Sequence, residues 1–358
     1  MRERAQRHNE PVSGRAESVS DFESRISEFP RVALFSTPTP IERLSRIEEA
    51  LGDALRGVRL YIKRDDTMGL GGGGNKLRKL EFLLGEARQE KADTIIAVGG
   101  RQSNHARLTA AAAARHGFQC ELALAQVVPR MDTDYQESGN ILLDNLFGAR
   151  VHDLPGSANP VEFAEERAAV LRAEGRTAYV MASGGSSPTG CLGYAVCANE
   201  IAEQARFLGI AFDEVVVPNG SSGTHAGLAA GFVALGSSAS RVRSFSVLAS
   251  EEDSRAATLG KARATAALLG CEATIEETDI RVDGSERGSA YGAPTASMVS
   301  AVQLMARREG LLLDPVYSGK AFAGLLAAVR NGDYRDGASI LFVMTGGAPS
   351  LFAYRHEF

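Results

Sequence analysis

The chain has 358 residues, of which 44% are hydrophobic and 23% charged, and its formal net charge is −5. This is the composition of a globular protein with one large or two moderate cores, and its negative charge gives no electrostatic reason to expect nucleic-acid or membrane binding. No apolar run approaches the ~20 residues that span a bilayer. The polar start of the sequence is not typical of a secretory signal, so we expect residues 1–30 to form a polar arm outside the fold.

The four cysteines show no spacing typical of a metal site or a disulfide framework. We therefore expect free thiols in a reducing cytoplasm and no bound metal. The four are Cys120, Cys191, Cys197 and Cys271.

A glycine run precedes a lysine in GLGGGGNKLRK, residues 69–79. Gly69 and Gly74 have the spacing of a Walker phosphate-binding loop, but Asn75 displaces the lysine by one position, which argues against a nucleoside triphosphate site. Lys76 instead begins a predicted helix, where the helix dipole disfavours a cation. This favours a lowered pKa and covalent chemistry at Lys76, with the glycines giving a ligand room to reach it.

The helix that follows the glycine run has an apolar stripe that includes Leu77, Leu80 and Leu84. Such a stripe predicts one buried face. Arg78 and Lys79 lie off this stripe, so we expect both side chains to be solvated.

Apolar segments alternate with helical segments along most of the chain. Predicted strands include TIIAVGG (94–100), EVVVP (214–218) and ILFVMT (340–345), and predicted helices include residues 105–117 and 159–175. Near-continuous apolar strands between amphipathic helices indicate parallel sheets covered on both faces. We predict an α/β protein with doubly wound parallel sheets in two lobes, whose ligands bind at the carboxyl ends of the strands.

The first loop after a strand is VGGRQSNHARL, residues 98–108. Ser103 or Asn104 is a natural N-cap for the next helix. With Gln102 and His105 beside them, the polar side chains are more than a cap requires. The start of a helix favours an anion, and we expect a substrate carboxylate there.

The second loop, in VVVPNGSSGTHAGLAAGF (215–232), joins a strand to an Ala- and Gly-rich helix. Backbone N–H groups and hydroxyls at such a junction favour a phosphate. A tight structural turn is the alternative, and the lack of a following lysine argues for a monophosphate. The predicted phosphate loop comprises Gly220, Ser221, Ser222, Gly223 and Thr224.

Two further loops lie near the C-terminus, in DPVYSGKAFAGL (314–325) and ILFVMTGGAP (340–349). Tyr317 could serve a ligand or simply pack. Thr345 would present a hydroxyl at a strand end, where a ring nitrogen could meet it, although a mere turn is equally consistent.

A monophosphate site and an activated lysine together suggest pyridoxal phosphate. Its aldehyde would form a Schiff base with Lys76, and its ring would act as an electron sink. The alternative from a different class is a non-catalytic protein that binds a phosphorylated metabolite at the same helix N-termini.

Four segments, in this order, resemble the group of D-cysteine desulfhydrases and 1-aminocyclopropane-1-carboxylate deaminases, which are tryptophan-synthase-β-like pyridoxal phosphate enzymes of fold type II. They are GGNKLRKLEFL, GGRQSNHARLTAAAAA, DPVYSGKA and MTGGAP. The resemblance implies a homodimer with a large cofactor-binding domain, from residues 31–78 and 188–358, and a small domain from residues 79–187.

The resemblance also implies residue roles. Lys76 would form the Schiff base and shuttle the α-proton, and Ser103 would help in proton transfer. Tyr291 and Tyr317 would be the active-site tyrosines. Cofactor contacts would come from Asn104 at the phenolic oxygen, Thr345 at the pyridine nitrogen and the predicted phosphate loop, and substrate contacts from Gln102, Ser103 and His105.

Two positions discriminate within the group. The cyclopropane deaminases carry glutamate after the tyrosine that matches Tyr317, whereas this chain has Ser318, which disfavours ring-opening deamination. Arg101 stands where the desulfhydrases are expected to have a small or apolar residue. An exposed arginine is usually solvent-facing, but it could read an acidic substrate group.

The resemblance therefore implies a cytoplasmic β-elimination lyase, with D-cysteine as the first substrate and pyruvate, ammonia and sulfide as products. The alternatives on the same scaffold are an L-cysteate sulfo-lyase, a cyclopropane-amino-acid deaminase and an amino-acid racemase.

Overall fold

The computed structural model describes residues 13–35, 38–271 and 273–358. Its strands are β1 (Ile41–Arg43), β2 (Arg59–Arg64), β3 (Thr94–Gly100), β4 (Gln119–Ala125), β5 (Arg150–Leu154), β6 (Ala178–Met181), β7 (Glu214–Asn219), β8 (Val242–Ser246), β9 (Arg281–Asp283) and β10 (Ser339–Met344). Its α-helices are α1 (Ser13–Ser27), α2 (Ser45–Leu51), α3 (Lys76–Gln89), α4 (Asn104–His116), α5 (Thr133–Glu137), α6 (Asn140–Leu146), α7 (Pro160–Ala173), α8 (Pro188–Leu208), α9 (Gly223–Ala234), α10 (Glu251–Leu268), α11 (Ala296–Glu309), α12 (Ser318–Asn331) and α13 (Ser350–Ala353).

The strands form two sheets. The six-stranded sheet has the order β1-β2-β10-β7-β8-β9 and is parallel except for β1, and the four-stranded sheet has the parallel order β5-β4-β3-β6. Central strands are apolar on both sides, as Ile95 and Ile96 in β3 show, because helices cover both faces. The predicted α/β class with parallel sheets is confirmed.

The two sheets draw on different parts of the chain. Residues 94–181 supply the four-stranded sheet, and residues 41–64 with 214–344 supply the other. The predicted division into a large and a small domain remains a prediction, and α3 and α8 pack closely where its boundaries fall. At Gly193 in α8, a side chain would overlap the carbonyl of Arg78.

The predicted N-terminal arm is not wholly outside the fold. Phe22 of α1 is 3% exposed and belongs to the core that α8, α9 and α10 share. Arg25 donates to the carbonyl of Leu269 at 2.6 Å. Phe22 and Ile26 lie on one side of α1 and give it an apolar face to bury. Residues 1–12 lie outside the described residues.

Cys120, Cys191 and Cys197 are buried and Cys271 is partly exposed, all as free thiols. Among the described residues, none of the helices is long and apolar enough to cross a membrane. The same residues contain no cluster of three His, Cys, Asp or Glu side chains that could hold a metal ion.

Candidate active site

A cavity of about 270 Å³ opens where β3, β7 and β10 end and where α3, α4 and α9 begin. This is the expected ligand position in parallel α/β sheets. Most of the predicted site residues line it together, namely Lys76, Ser103, Asn104, Gly220, Ser221, Ser222, Gly223, Thr224, Tyr291, Tyr317 and Thr345.

Lys76 is the first residue of α3, and its amine faces the cavity. The Nζ atom donates to Oδ1 of Asn75 at 3.0 Å and lies 5.9 Å from the centroid of the Tyr317 ring. Burial, followed by the nearby charge of Lys79, holds the pKa of Lys76 well below its usual value, while Asp314 opposes the shift. A lowered pKa favours the neutral, nucleophilic form of the amine.

The glycines before Lys76 do not clear space for a ligand, contrary to the prediction. Gly73 has φ +75°, and a side chain there would overlap the carbonyl of Asp66. A Cβ at Gly74 would lie 3.1 Å from the carbonyl of Thr345, and the Asn75 N–H donates to that carbonyl at 3.0 Å. All four glycines from Gly71 to Gly74 have a positive φ, and Gly73 and Gly74 also pack closely against other backbone.

Asn75 connects the lysine to the predicted phosphate loop. Its Nδ2 donates to the Thr224 hydroxyl at 3.1 Å, while its Oδ1 accepts from Lys76. The residue that broke the Walker pattern therefore joins the starts of α3 and α9.

The predicted phosphate loop lies at the N-terminus of α9. Ser222 precedes the helix in a left-handed conformation, with φ +69°. The first N–H groups of a helix have no intrahelical acceptor, and they point at the cavity here. The Ser221 hydroxyl hydrogen-bonds the Ser186 hydroxyl at 2.8 Å, so hydroxyls and N–H groups converge on one point.

Lys79 lies just behind this end of the cavity, against Gly184 and Gly223 of its wall, which the sequence did not predict. Its Nζ is fully buried and donates to the Ser186 hydroxyl at 2.8 Å and to the carbonyl of Gly184 at 3.2 Å. A Cβ at Gly223 would lie 2.6 Å from this Nζ atom. Burial lowers the pKa of Lys79 to about 8.

The prediction that Arg78 and Lys79 are solvated is wrong, because α8 covers the side of α3 that was expected to face water. Arg78 is 1% exposed and pairs with Asp65 at 2.9 Å and with Glu200 at 2.8 Å. The spacing of three residues between Lys76 and Lys79 is the signal that could have found Lys79, because side chains three apart share one side of a helix.

Ser103 and the two tyrosines occupy the other walls. The Ser103 hydroxyl accepts from the N–H of Ala106 at 3.2 Å and so caps α4. The hydroxyls of Tyr291 and Tyr317 are 2.5 Å apart. Burial is the main cause that raises the pKa of both phenols, so they stay protonated near neutral pH.

A family model described as pyridoxal-phosphate dependent enzyme matches residues 32–346. The chain belongs to this family. It is 41% identical over 338 residues to the D-cysteine desulfhydrase of Serratia proteamaculans (strain 568), covering 94% of this chain and 99% of the relative. It is also 42% identical over 329 residues to the D-cysteine desulfhydrase of Klebsiella pneumoniae (strain 342), covering 92% and 97%.

Solved structures agree with this family assignment. The crystal structure of an ACC deaminase homologue superposes with a TM-score of 0.83 at 36% identity, over 94% of this chain and 98% of that one. O-ureido-L-serine synthase, with 17% identity and a TM-score of 0.60, shares the fold. The predicted family and fold type II are confirmed, and this enzyme uses pyridoxal phosphate.

The residues present fit this cofactor. A neutral lysine amine suits an aldehyde, and the start of α9 with Lys79 suits a phosphate. Gly223 has no room for a side chain, since a Cβ there would overlap the Ser186 hydroxyl, and this close approach brings the start of α9 next to Ser186 and Lys79. Thr345 offers a hydroxyl at the end of β10.

Two residues predicted to bind substrate do not line the cavity. Gln102 donates to the carbonyls of Tyr135 and Ser138, at 2.7 and 2.9 Å, and accepts from the N–H of Asn140. Its side chain is committed to the backbone before α6. His105 is 2% exposed and neither ring nitrogen has a hydrogen-bond partner among the described residues.

The side chain of His105 therefore does not face the cavity. Its ring packs behind the cavity, near Gly185. Burial, followed by the charges of Lys76 and Lys79, lowers its pKa to about 3. A neutral ring costs less free energy to bury beside two amines than a cation would.

Arg101 neither lines the cavity nor faces solvent freely. Its guanidinium pairs with Asp153 and donates to the carbonyl of Gln136 at 2.8 Å. Ser318 is fully buried and donates to Asp314 at 2.7 Å. Neither residue lines the cavity. The arginine side chain at position 101 and the serine at position 318 therefore add no charged group to the cavity wall.

Proposed function

We propose that this enzyme is a D-cysteine desulfhydrase, which converts D-cysteine and water to pyruvate, ammonia and hydrogen sulfide. The observation that carries the proposal is the charge of the cavity wall. Among the described residues that line it, Lys76 is the only charged side chain. Such a wall suits the neutral thiol of cysteine, and the full-length similarity to D-cysteine desulfhydrases supports the same substrate.

The same wall argues against the two neighbouring activities. The sulfonate of L-cysteate would have no arginine or histidine to pair with, since Arg101 is held by Asp153. A deaminase would need a carboxylate to protonate the pyridine nitrogen, and Ser318 is turned toward Asp314. A neutral hydroxyl such as that of Thr345 leaves that nitrogen unprotonated, which suits β-elimination.

The cofactor would be held at its two ends. Lys76 would bind the aldehyde, and residues 220–224 with Lys79 and Ser186 would hold the phosphate. Asn104 would donate to the phenolic oxygen, and Thr345 would face the ring nitrogen. When bound, pyridoxal phosphate supplies an electron sink for charge that develops at the substrate α-carbon.

The side chains of the cavity would then move two protons. Lys76, whose neutral form is favoured by burial, takes the α-proton as general base. Ser103 and the N–H groups at the start of α4 bind the substrate carboxylate. Tyr291 and Tyr317, which share a hydrogen bond and stay protonated, donate a proton to the departing sulfur.

A substrate panel tests this proposal. D-cysteine, L-cysteate, 1-aminocyclopropane-1-carboxylate and D-serine would be compared by keto-acid release, with sulfide and sulfite measured in parallel. We expect D-cysteine to give pyruvate and sulfide with the highest kcat/KM. Sulfite from L-cysteate, 2-oxobutyrate from the cyclopropane, or enantiomer without keto acid would each overturn it in favour of the corresponding activity.

We infer further that the enzyme is a cytoplasmic homodimer. The free, buried cysteines are typical of a reducing compartment.

The dimer surface is proposed from exposed apolar side chains. Helices α6 and α13 expose Leu142, Leu146 and Phe352, which are 50, 69 and 64% accessible. The two helices are neighbours, since a Cβ at Gly139 would lie 2.9 Å from the carbonyl of Pro349, and a second copy would cover this apolar surface. Analytical ultracentrifugation of wild type and Leu146→Glu tests this, with dissociation expected in the variant.

A further inference from the structure

A buried polar network lies behind Asn104, on the side away from the cavity. Oδ1 of Asn104 accepts from Nδ2 of Asn140 at 3.0 Å, from the Ser350 hydroxyl at 3.1 Å and from Arg107 at 3.3 Å. Arg107 also donates to Oδ1 of Asn140 at 2.7 Å and to the carbonyl of Gly73 at 2.7 Å. One guanidinium thus touches both asparagines and the glycine run before Lys76.

The network fixes which way each amide faces. A guanidinium has only donors, so the amide atom nearest Arg107 must be an oxygen in both Asn104 and Asn140. Nδ2 of Asn140 then donates to the carbonyl of Gln102 at 2.9 Å as well as to Asn104. With its oxygen engaged by three donors, Asn104 can offer only its NH2 group to the cavity.

The NH2 group of Asn104 is also confined sterically. A Cβ at Gly347 would lie 2.5 Å from Nδ2 of Asn104, so the turn after β10 leaves just enough room for this group. Asn104 lines the cavity next to Lys76. A donor that cannot rotate to present its oxygen is suited to an oxyanion.

The charge of the network points to an anion in the same place. Arg107 is fully buried and has no carboxylate of the described residues within ion-pair distance, and burial lowers its pKa to about 10, although the charges of Asp144 and Asp314 oppose the shift. The nearby Asp144 is buried with no hydrogen-bond partner for its carboxylate among those residues, and burial raises its pKa to about 8. A buried cation without a direct ion pair is costly, and a bound anion at Asn104 would offset part of that cost.

We propose that Arg107, Asn140 and Ser350 are positioning residues that hold the Asn104 amide with its NH2 group toward the phenolic oxygen of pyridoxal phosphate. This rests on the proposed contact between Asn104 and that oxygen. The three residues act through Asn104 and do not themselves touch the cofactor or the substrate.

A double-mutant cycle tests the proposal, with the dissociation constant for pyridoxal phosphate as the readout. Asn140→Asp keeps an acceptor for Arg107 but puts an acceptor oxygen where the donor to Asn104 was, and the two facing oxygens favour the turned-over amide. We expect the cofactor to bind about tenfold more weakly, the scale of one hydrogen bond to a charged group. In an Asn104→Ala background the same change should alter the constant less than about twofold, because the coupling is lost.

Two further variants keep the test decisive. Ser350→Ala removes one donor and leaves Arg107 in place, so it should show a weaker effect of the same sign that also disappears with Asn104→Ala, even if Asn140→Asp fails to fold. Thr109→Val is an isosteric change on the same helix, at a buried hydroxyl that has no hydrogen-bond partner among the described residues, and this variant should bind cofactor as wild type does. Equal losses with and without Asn104 would overturn the proposal. Failure of D-cysteine turnover would leave this cycle unaffected, since only cofactor binding is measured.

Discussion

The starts of α3 and α9 look alike in sequence and differ in what surrounds them. Each begins beside glycines, and each directs its N-terminus into one cavity. At α3 the first residue is Lys76, whose amine reaches the cavity under the ring of Tyr317. At α9 no charged side chain follows, and the cation comes instead from Lys79, one turn into α3.

This difference shows that the groups packed against the first residues of a helix decide whether its N-terminus can hold an anion. Close packing of the glycines on Asp66 and Thr345 leaves no room for a phosphate at α3. The left-handed Ser222 leaves the N–H groups of α9 open. One end of the cavity is therefore suited to covalent chemistry and the other to a bound anion.

The largest effect is expected from removing the covalent end. Lys76→Ala should lower kcat for D-cysteine by at least ~10³-fold, the scale of a lost general base, and should abolish the absorbance band near ~420 nm of the lysine-bound cofactor. Steady-state kinetics and a visible spectrum check this. An unchanged band would show that another group holds the aldehyde, whereas Lys76→Arg, which keeps a charge but cannot bond covalently, should also lack the band.

The sequence predicted those site residues whose signal lies in a few neighbouring positions. The loop at residues 220–224 and Thr345 were predicted because each follows a strand, and Lys76 because it follows a glycine run at the start of a helix, all of which are signals from a few neighbouring residues. The family and the fold were found because four such segments keep their order along the chain. These predictions needed no knowledge of long-range contacts.

The missed residues depend on packing between distant segments. Lys79 meets Ser186, 107 positions away in the sequence, and the sequence did not reveal that α8 would bury it. Gln102 and His105 were wrongly given to the substrate, because the residue type at a helix start does not fix the direction of its side chain. Asn140 gave no local signal, since its partners lie on other elements.

The second prediction concerns a substitution at the end of the cavity that is proposed to bind the phosphate. In Gly223→Ala the new Cβ would overlap the Ser186 hydroxyl and lie 2.6 Å from Nζ of Lys79. Overpacking of this kind costs ~1–3 kcal/mol, so cofactor affinity should fall by about tenfold, measured by titration of the apoenzyme. Gly260→Ala, where a Cβ would meet nothing within 4 Å, is the matched control and should bind as wild type does. Equal binding by both variants would remove the phosphate from this position.

The third prediction uses pH to separate the two ends. Lys79 has a pKa of about 8, so it is mostly charged at pH 7 and mostly neutral at pH 9, and a phosphate dianion prefers the charged form. Affinity for pyridoxine 5′-phosphate, which has no aldehyde for Lys76, should therefore fall as pH rises, by at most about tenfold per pH unit above 8. Calorimetric titration should show a flat profile and weaker binding at pH 7 in Lys79→Met. The same slope in that variant would assign the titration to another group.

The smallest effect is expected outside both ends, at Arg101. Its guanidinium already pairs with Asp153, which is itself 63% accessible, and donates to the carbonyl of Gln136. A pair this exposed on one side contributes ~0–1 kcal/mol, so Arg101→Gln should change kcat/KM for D-cysteine by less than about threefold and should not alter the preference for D-cysteine over L-cysteate. A selective loss with L-cysteate would mean that Arg101 leaves Asp153 to meet an anionic substrate. Arg101 would then bring a further cation to the cavity when substrate is bound. The cavity would have a second place that binds an anion, and the comparison of one covalent end with one anion-binding end would fail.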